Sequence, residues 1–159
     1  MKKKINISFS KLIINITIPH LAGIIGGYFT ASSVKTWYQT LHKPPFNPPN
    51  WIFSPIWLTL YTLIGIAFYL FDNKDKFKNT NIYILYLLHI FLNAIWSILF
   101  FGMHQVFLAL IDILLIITTL IILMKYFYKI NKTSFYLLIP YLLWLFFALL
   151  LNYSILILN

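Results

Sequence analysis

Apolar residues in this chain come in long charge-free runs. Leu12 to Val34 is one run, and Thr133 to Asn159 is the last. Pro44 to Phe71 is another, a proline-rich lead-in followed by an apolar segment from Trp51. A helix rises about 1.5 Å per residue and a bilayer core is about 30 Å thick, so about 20 such residues cross it. Between Asn79 and Met124 lie about 46 residues with one charge, Asp112; as a single helix they would reach roughly 69 Å, about twice what a bilayer accepts. The run must fold back, and its only break is Gly102-Met103-His104-Gln105, read as a tight polar turn with a helix-ending glycine. Barrel strands would alternate over about 10 residues, and these uniform runs do not. The pattern predicts an all-α integral membrane protein. It is a bundle of five transmembrane helices in a single domain, 1–159, with helices at about 12–34, 51–71, 81–101, 105–126 and 133–157.

Composition sharpens this. Hydrophobic residues make up 61% of the 159 and charged residues 9%. Mean hydropathy is +0.84. A soluble domain carries about 25% charged residues, so this chain cannot cover a soluble surface. The formal net charge is +9, but the lysines sit almost entirely between or just outside the apolar runs. That pattern belongs to loops facing cytoplasm or anionic lipid headgroups and not to nucleic-acid binding. Cysteine is absent, which excludes disulfides, thiolate metal sites and cysteine nucleophiles. Lys2, Lys3 and Lys4 followed by an apolar run suggest a leader peptide, but the run is longer than a leader core and no small-residue site closes it. It is read as a retained first span. With five spans, the N-terminal lysines, Lys74, Lys76, Lys78, Lys125, Lys129 and Lys132 fall on one side, leaving Lys35 and Lys43 on the other. The positive-inside rule then places the N-terminus in the cytoplasm and the C-terminus outside.

The loop from Lys35 to Trp51 carries Trp37, Tyr38, Phe46 and Trp51 together with paired prolines. Proline fixes φ and extends its predecessor, so this loop is stiff. It reads either as an interfacial aromatic belt or as a lid over a pocket. Inside the spans, His89, Asn93 and Ser97 share one helical face with Trp96 beside them. Trp57 and Tyr61 share another, and Trp144, Ala148 and Asn152 a third. Polar groups in lipid point into the bundle. Singly they read as interhelical hydrogen bonds; three helices together suggest an aromatic-lined pocket with few polar contacts.

Asp112, about 12 Å along its helix from His104, is the one acidic residue inside a span. A structural hydrogen bond or cap is favoured over a proton relay, which would need several such groups. Gly23 and Gly27 form GxxxG, which favours close packing in the bundle or in a homodimer. Pro19 and Pro140 are expected to bend the first and fifth helices. Hydrolytic and phosphate-binding motifs are absent, and the four histidines are not at metal spacing, so no metal or required cofactor is expected.

These features resemble the TspO/MBR family, the translocator or tryptophan-rich sensory proteins that include the peripheral benzodiazepine receptors. The matching segments are Trp37-Tyr38 with Leu41, Lys43-Pro44 and Pro48-Pro49; Pro55-Ile56-Trp57 with Leu60-Tyr61, Gly65 and Ala67; Asn93-Ala94-Ile95-Trp96-Ser97 with Phe100-Phe101; Ala109 with Asp112; and Pro140-Tyr141-Leu142-Leu143-Trp144 with Phe147-Ala148 and Asn152. They run in order from about residue 37 to the C-terminus. The resemblance implies a five-helix bundle, often dimeric, with a pocket under the first loop for porphyrins such as protoporphyrin IX or haem. Carried over by motif, the ligand-binding candidates are Tyr38, Trp57, Tyr61, Asn93, Trp96, Ser97, Trp144 and Ala148. Some bacterial members are reported to promote light-dependent porphyrin breakdown, which makes Trp57 and Trp144 the catalytic candidates should this chain be an enzyme. The sterol motif that mammalian members carry late in the fifth helix has no Lys or Arg after Tyr153 here. A similar pattern occurs on the fourth helix, from Leu123 to Lys129. Phe46 stands where many relatives have Trp. The Lys/Ile/Asn-rich, arginine-free composition suggests an AT-rich bacterial genome and so a bacterial cell membrane.

The leading expectation is a membrane-embedded binding protein for porphyrins and similar flat hydrophobic ligands, acting in porphyrin handling or stress sensing. A transporter of hydrophobic anions, a light-dependent porphyrin-degrading enzyme and a ligand-free structural partner are the competing classes.

Overall fold

The computed structural model describes residues 8–76 and 78–159; Lys2, Lys3 and Lys4, used in the charge argument, lie outside the described residues. The elements are α1 (Phe9–Ser33), α2 (Trp37–Thr40), α3 (Asn50–Asp72), α4 (Thr80–Ser97), α5 (Val106–Ile130), α6 (Lys132–Leu137) and α7 (Ile139–Leu158). α4 runs on through a π-helical turn, Ile98–Gly102, and α6 with α7 forms one span. Among the described residues, five helices are thus long and apolar enough to cross a membrane, in the order and places the charge-free runs predict.

Two expectations are corrected in detail. The turn after the third span is not closed by a left-handed glycine: His104 takes the positive φ, 57°. Gly102 is small for another reason, since a Cβ there would lie 2.7 Å from the Phe29 ring. Pro140 does not bend the interior of a helix. It lies in the first turn of α7, where its missing N–H costs nothing, and the chain breaks just before it at Leu138. Pro19 is buried inside α1, which continues on both sides of it.

The two ends of the bundle are filled differently. Toward the end of α3 that carries Lys74, aromatic rings close the interior. Phe68 stacks on Tyr86 with centroids 3.8 Å apart, and Phe71 stacks on Phe127 at 4.3 Å. Such offset pairs add about 0.5–1.5 kcal/mol each beyond area burial. The corner between α5 and α6 is pinned here, as Asn131 donates to the Leu70 carbonyl at 3.0 Å and accepts from Thr133 N–H at 3.2 Å. α1 meets α3 backbone to backbone: a Cβ on Gly65 would sit 2.5 Å from Ile16 Cα. The sterol-like pattern on α5 is not presented to lipid as a unit, because Leu123, Met124 and Phe127 are all buried in this core. Toward the other end, under the α1–α3 loop, the helices leave a hollow.

Candidate functional site

The hollow is a cavity of about 570 Å³ enclosed by α1, α3, α4 with its π turn, and α7, with Tyr38 from α2 above it. That is the size of a small-molecule site. Its lining includes seven of the eight ligand-binding candidates: Tyr38, Trp57, Tyr61, Trp96, Ser97, Trp144 and Ala148. The eighth, Asn93, lines instead a chamber of about 20 Å³ in the same wall, shared with Trp57, Tyr61, Trp96, Ser97 and Ala148. A chamber of that size holds about one water.

The aromatic groups are held by their neighbours. Trp57 stacks on Tyr61, one helical turn away, at 5.3 Å, and meets Tyr141 edge-on at 6.4 Å. Trp96 stacks on Phe100 at 5.1 Å, and its indole N–H donates to Asn152 Oδ1 at 3.2 Å. Asn152 in turn donates to the Val106 carbonyl at 3.0 Å, so this amide joins α4, α5 and α7. Trp144 packs among Phe53 and Phe147. Its buried indole Nε1 has no hydrogen-bond partner among the described residues. A buried donor left unpaired costs about 1–3 kcal/mol.

Asn93 belongs to a buried polar cluster behind the cavity wall. Its Nδ2 donates to the His89 carbonyl at 2.8 Å, and its Oδ1 accepts from the Tyr141 hydroxyl at 2.7 Å. His89 Nδ1 lies 2.9 Å from Thr119 Oγ1, which is itself within reach of the Ile116 and Leu115 carbonyls at 2.9 and 3.0 Å. With the threonine hydrogen committed to those carbonyls, His89 donates from Nδ1 and leaves Nε2 an acceptor facing Tyr141. Asp112 does not take the hydrogen-bonding or capping part expected of it: its buried Oδ2 has no partner among the described residues.

The loop divides between its two readings. Tyr38 is buried and roofs the cavity, with its hydroxyl donating to Asn47 Oδ1 at 2.7 Å. Burial pushes that hydroxyl up to about 12. Trp51 is 73% exposed, as a residue of an interfacial belt is. Phe46, half exposed, reaches Phe147 edge-on at 6.4 Å. The glycines of α1 also separate. Gly23 faces the Tyr61 ring and Gly26 faces Ser97, while Gly27 meets nothing within 4 Å. The GxxxG pair therefore does not form one helix-packing seam within the bundle.

α1 contributes more to the cavity than its sequence signals, through His20, Gly23, Gly26 and Thr30. They recur at three- and four-residue spacing on one face of α1, but the residues that complete the cavity around that face, among them Tyr61 and Ser97, lie on other helices. Phe53, Phe100 and Phe147 are likewise lining residues that read in sequence as ordinary apolar positions.

The chain matches the TspO/MBR family over residues 15–158. It is 40% identical to the tryptophan-rich protein TspO of Archaeoglobus fulgidus over 149 residues, covering 94% of this chain and 97% of that one. It is 37% identical over 139 residues to the tryptophan-rich protein TspO of Chlorobaculum tepidum, covering 86% and 88%. It is also 37% identical over 139 residues to the translocator protein of Bos taurus, covering 86% and 82%. With five membrane-spanning helices and a match over nearly its whole length, this multi-pass membrane protein belongs to the TspO/MBR family.

Proposed function

We propose that this protein binds a flat hydrophobic ligand of the tetrapyrrole class in the cavity under the α1–α3 loop, as a handling or sensing protein for such molecules. The observation that carries this reading is the lining. Indole, phenol and phenyl rings from α3, α4 and α7 surround a space of about 570 Å³ that, among the described residues, no lysine or aspartate lines. Aromatic faces stack on a planar macrocycle. The absence of lining charge favours binding over the coupled transport of an ion, which needs charged groups along its path. The lysine-rich loops favour a cytoplasmic N-terminus, and in that orientation the roofed end of the cavity faces outward.

A dark titration of protoporphyrin IX into the protein in nanodiscs, read by tryptophan fluorescence, tests this. Saturable quenching that weakens in Trp57→Phe and Trp144→Phe is the expected result. Non-saturable quenching, equal in all three proteins, would mean that the porphyrin only partitions into lipid. Illumination then distinguishes a binder, whose porphyrin absorbance persists, from an enzyme, whose porphyrin is consumed only when the tryptophans are present.

A further inference from the structure

The roof of the cavity is tied down at several points. Asn159 Oδ1 accepts from His42 N–H at 2.9 Å, and Asn159 Nδ2 donates to the His42 carbonyl at 3.0 Å. The side chain at the end of α7 thus pairs with loop backbone as a neighbouring strand would. Trp37 stacks on His104 at 4.1 Å with the rings 15° from parallel, which fastens α2 to the turn between α4 and α5. Tyr38 closes the centre through Asn47.

The side wall differs. α1 and α3 touch backbone to backbone at Gly65 and Ile16, and glycine to ring at Gly23 and Tyr61. One turn nearer the roof, a Cβ on Gly27 would meet nothing. There Ile24 of α1 and Leu58 of α3 line the cavity yet stay 69% and 58% exposed. Gly27, Ala31 and Ser54 also combine lining with exposure. On the opposite wall, Phe100 and Ile155 are buried.

We propose that the slot between Gly27 and Ala31 of α1 and Ser54 and Leu58 of α3 is a lateral portal. Through it the ligand passes between the cavity and the adjoining lipid leaflet while the roof stays shut. The proposal rests on the reading of the cavity as a ligand site and adds the route and hence the class of solute. The slot is apolar on both sides, with one hydroxyl, Ser54. It suits a molecule dissolved in the membrane that enters edge-on, and not a hydrated anion, which would lose its water against hydrocarbon.

The test is kinetic, with protoporphyrin IX as probe and the protein in nanodiscs. Gly27→Phe fills the slot from α1, and Leu58→Trp fills it from α3 should the first variant fold poorly. The chain has no cysteine, so a His42→Cys, Asn159→Cys pair closed by a short bis-thiosulfonate linker locks the roof without competing thiols. The expected result is that both portal variants slow association and dissociation by about tenfold, while the locked roof alters neither rate. Slowing by the roof link, or unchanged rates in both portal variants, overturns the portal. If the unmodified protein shows no saturable binding, the ligand-site reading fails separately. The portal is then judged by quenching with lipids brominated along the acyl chain. The share of quenching that Trp57→Phe removes must fall in Gly27→Phe, and an equal share in both backgrounds overturns the portal.

Discussion

The Tyr141 hydroxyl on α7 donates to Asn93 Oδ1 on α4 across 2.7 Å of buried interior. This bond, with the one from Asn93 Nδ2 to the His89 carbonyl, fixes which way the amide of Asn93 faces. Asn93 therefore meets the small chamber as part of a satisfied network and not as a free hydrogen-bonding arm. Tyr141→Phe removes the donor and leaves Asn93 Oδ1 buried and unpaired, at a cost of about 1–3 kcal/mol. The expected outcome is a lowered unfolding temperature in detergent together with weaker porphyrin binding, measured by thermal unfolding and by titration.

Two glycines of the α1–α3 region should respond oppositely to the same change. A Cβ on Gly65 lies 2.5 Å from Ile16 Cα and 2.6 Å from the Asn15 carbonyl oxygen, and backbone cannot rotate away as a side chain can. Gly65→Ala must push α1 from α3, and overpacking of this kind costs about 1–3 kcal/mol. Gly27→Ala enters open space and gains up to about 1 kcal/mol of helix propensity. Thermal unfolding of the two variants should bracket the parent protein, Gly65→Ala below it and Gly27→Ala at or above it.

How far the sequence foretold this depends on what each feature rests on. The five spans were legible because a bilayer demands length without charge, and that demand is written residue by residue. The shared faces of Trp57 with Tyr61, and of Trp144 with Ala148, were legible because i, i+4 spacing is a local property. The π turn at Ile98–Gly102 and the short α2 at Trp37–Thr40 were not legible, whereas the break at Leu138 falls two residues before Pro140, the proline that marked this span for a bend. The reason for the α1 glycines was hidden: Gly23 and Gly26 are small because of Tyr61 and Ser97, which are far away in sequence. Asn93 was placed on the right face by periodicity, but the direction of its amide is set by Tyr141.

Ala148 lines both the main cavity and the small chamber, so its size controls how the two communicate. Ala148→Leu adds a branched side chain where only about 20 Å³ is free beside Trp57 and Asn93. The new side chain must project into the main cavity, against the face on which a planar ligand would stack. Binding of protoporphyrin IX should weaken by about tenfold, or about 1.4 kcal/mol. The unfolding temperature should move little, because the cavity has room. A loss of stability with unchanged affinity would place the ligand away from α7.

The bond from Tyr38 to Asn47 gives the roof a defined pH window. Burial raises the Tyr38 hydroxyl to about 12 in the folded protein, above the value of about 10 for an unfolded tyrosine. A group raised in this way stabilises the fold fully below the unfolded value and loses that contribution as pH rises through the folded one. The roof bond is therefore constant from pH 6 to 9 and fades only between about 10 and 12. Tyr38→Phe deletes the donor at every pH, at a cost of about 0.5–1.5 kcal/mol, while Lys43, 4.8 Å above the ring, keeps its contact with the aromatic face. Hydrogen exchange of the loop amides checks this. The variant should exchange faster than the parent by a constant factor from pH 6 to 9, and the two should converge as pH approaches 12. A factor that already shrinks near neutrality would show that a different group holds the roof.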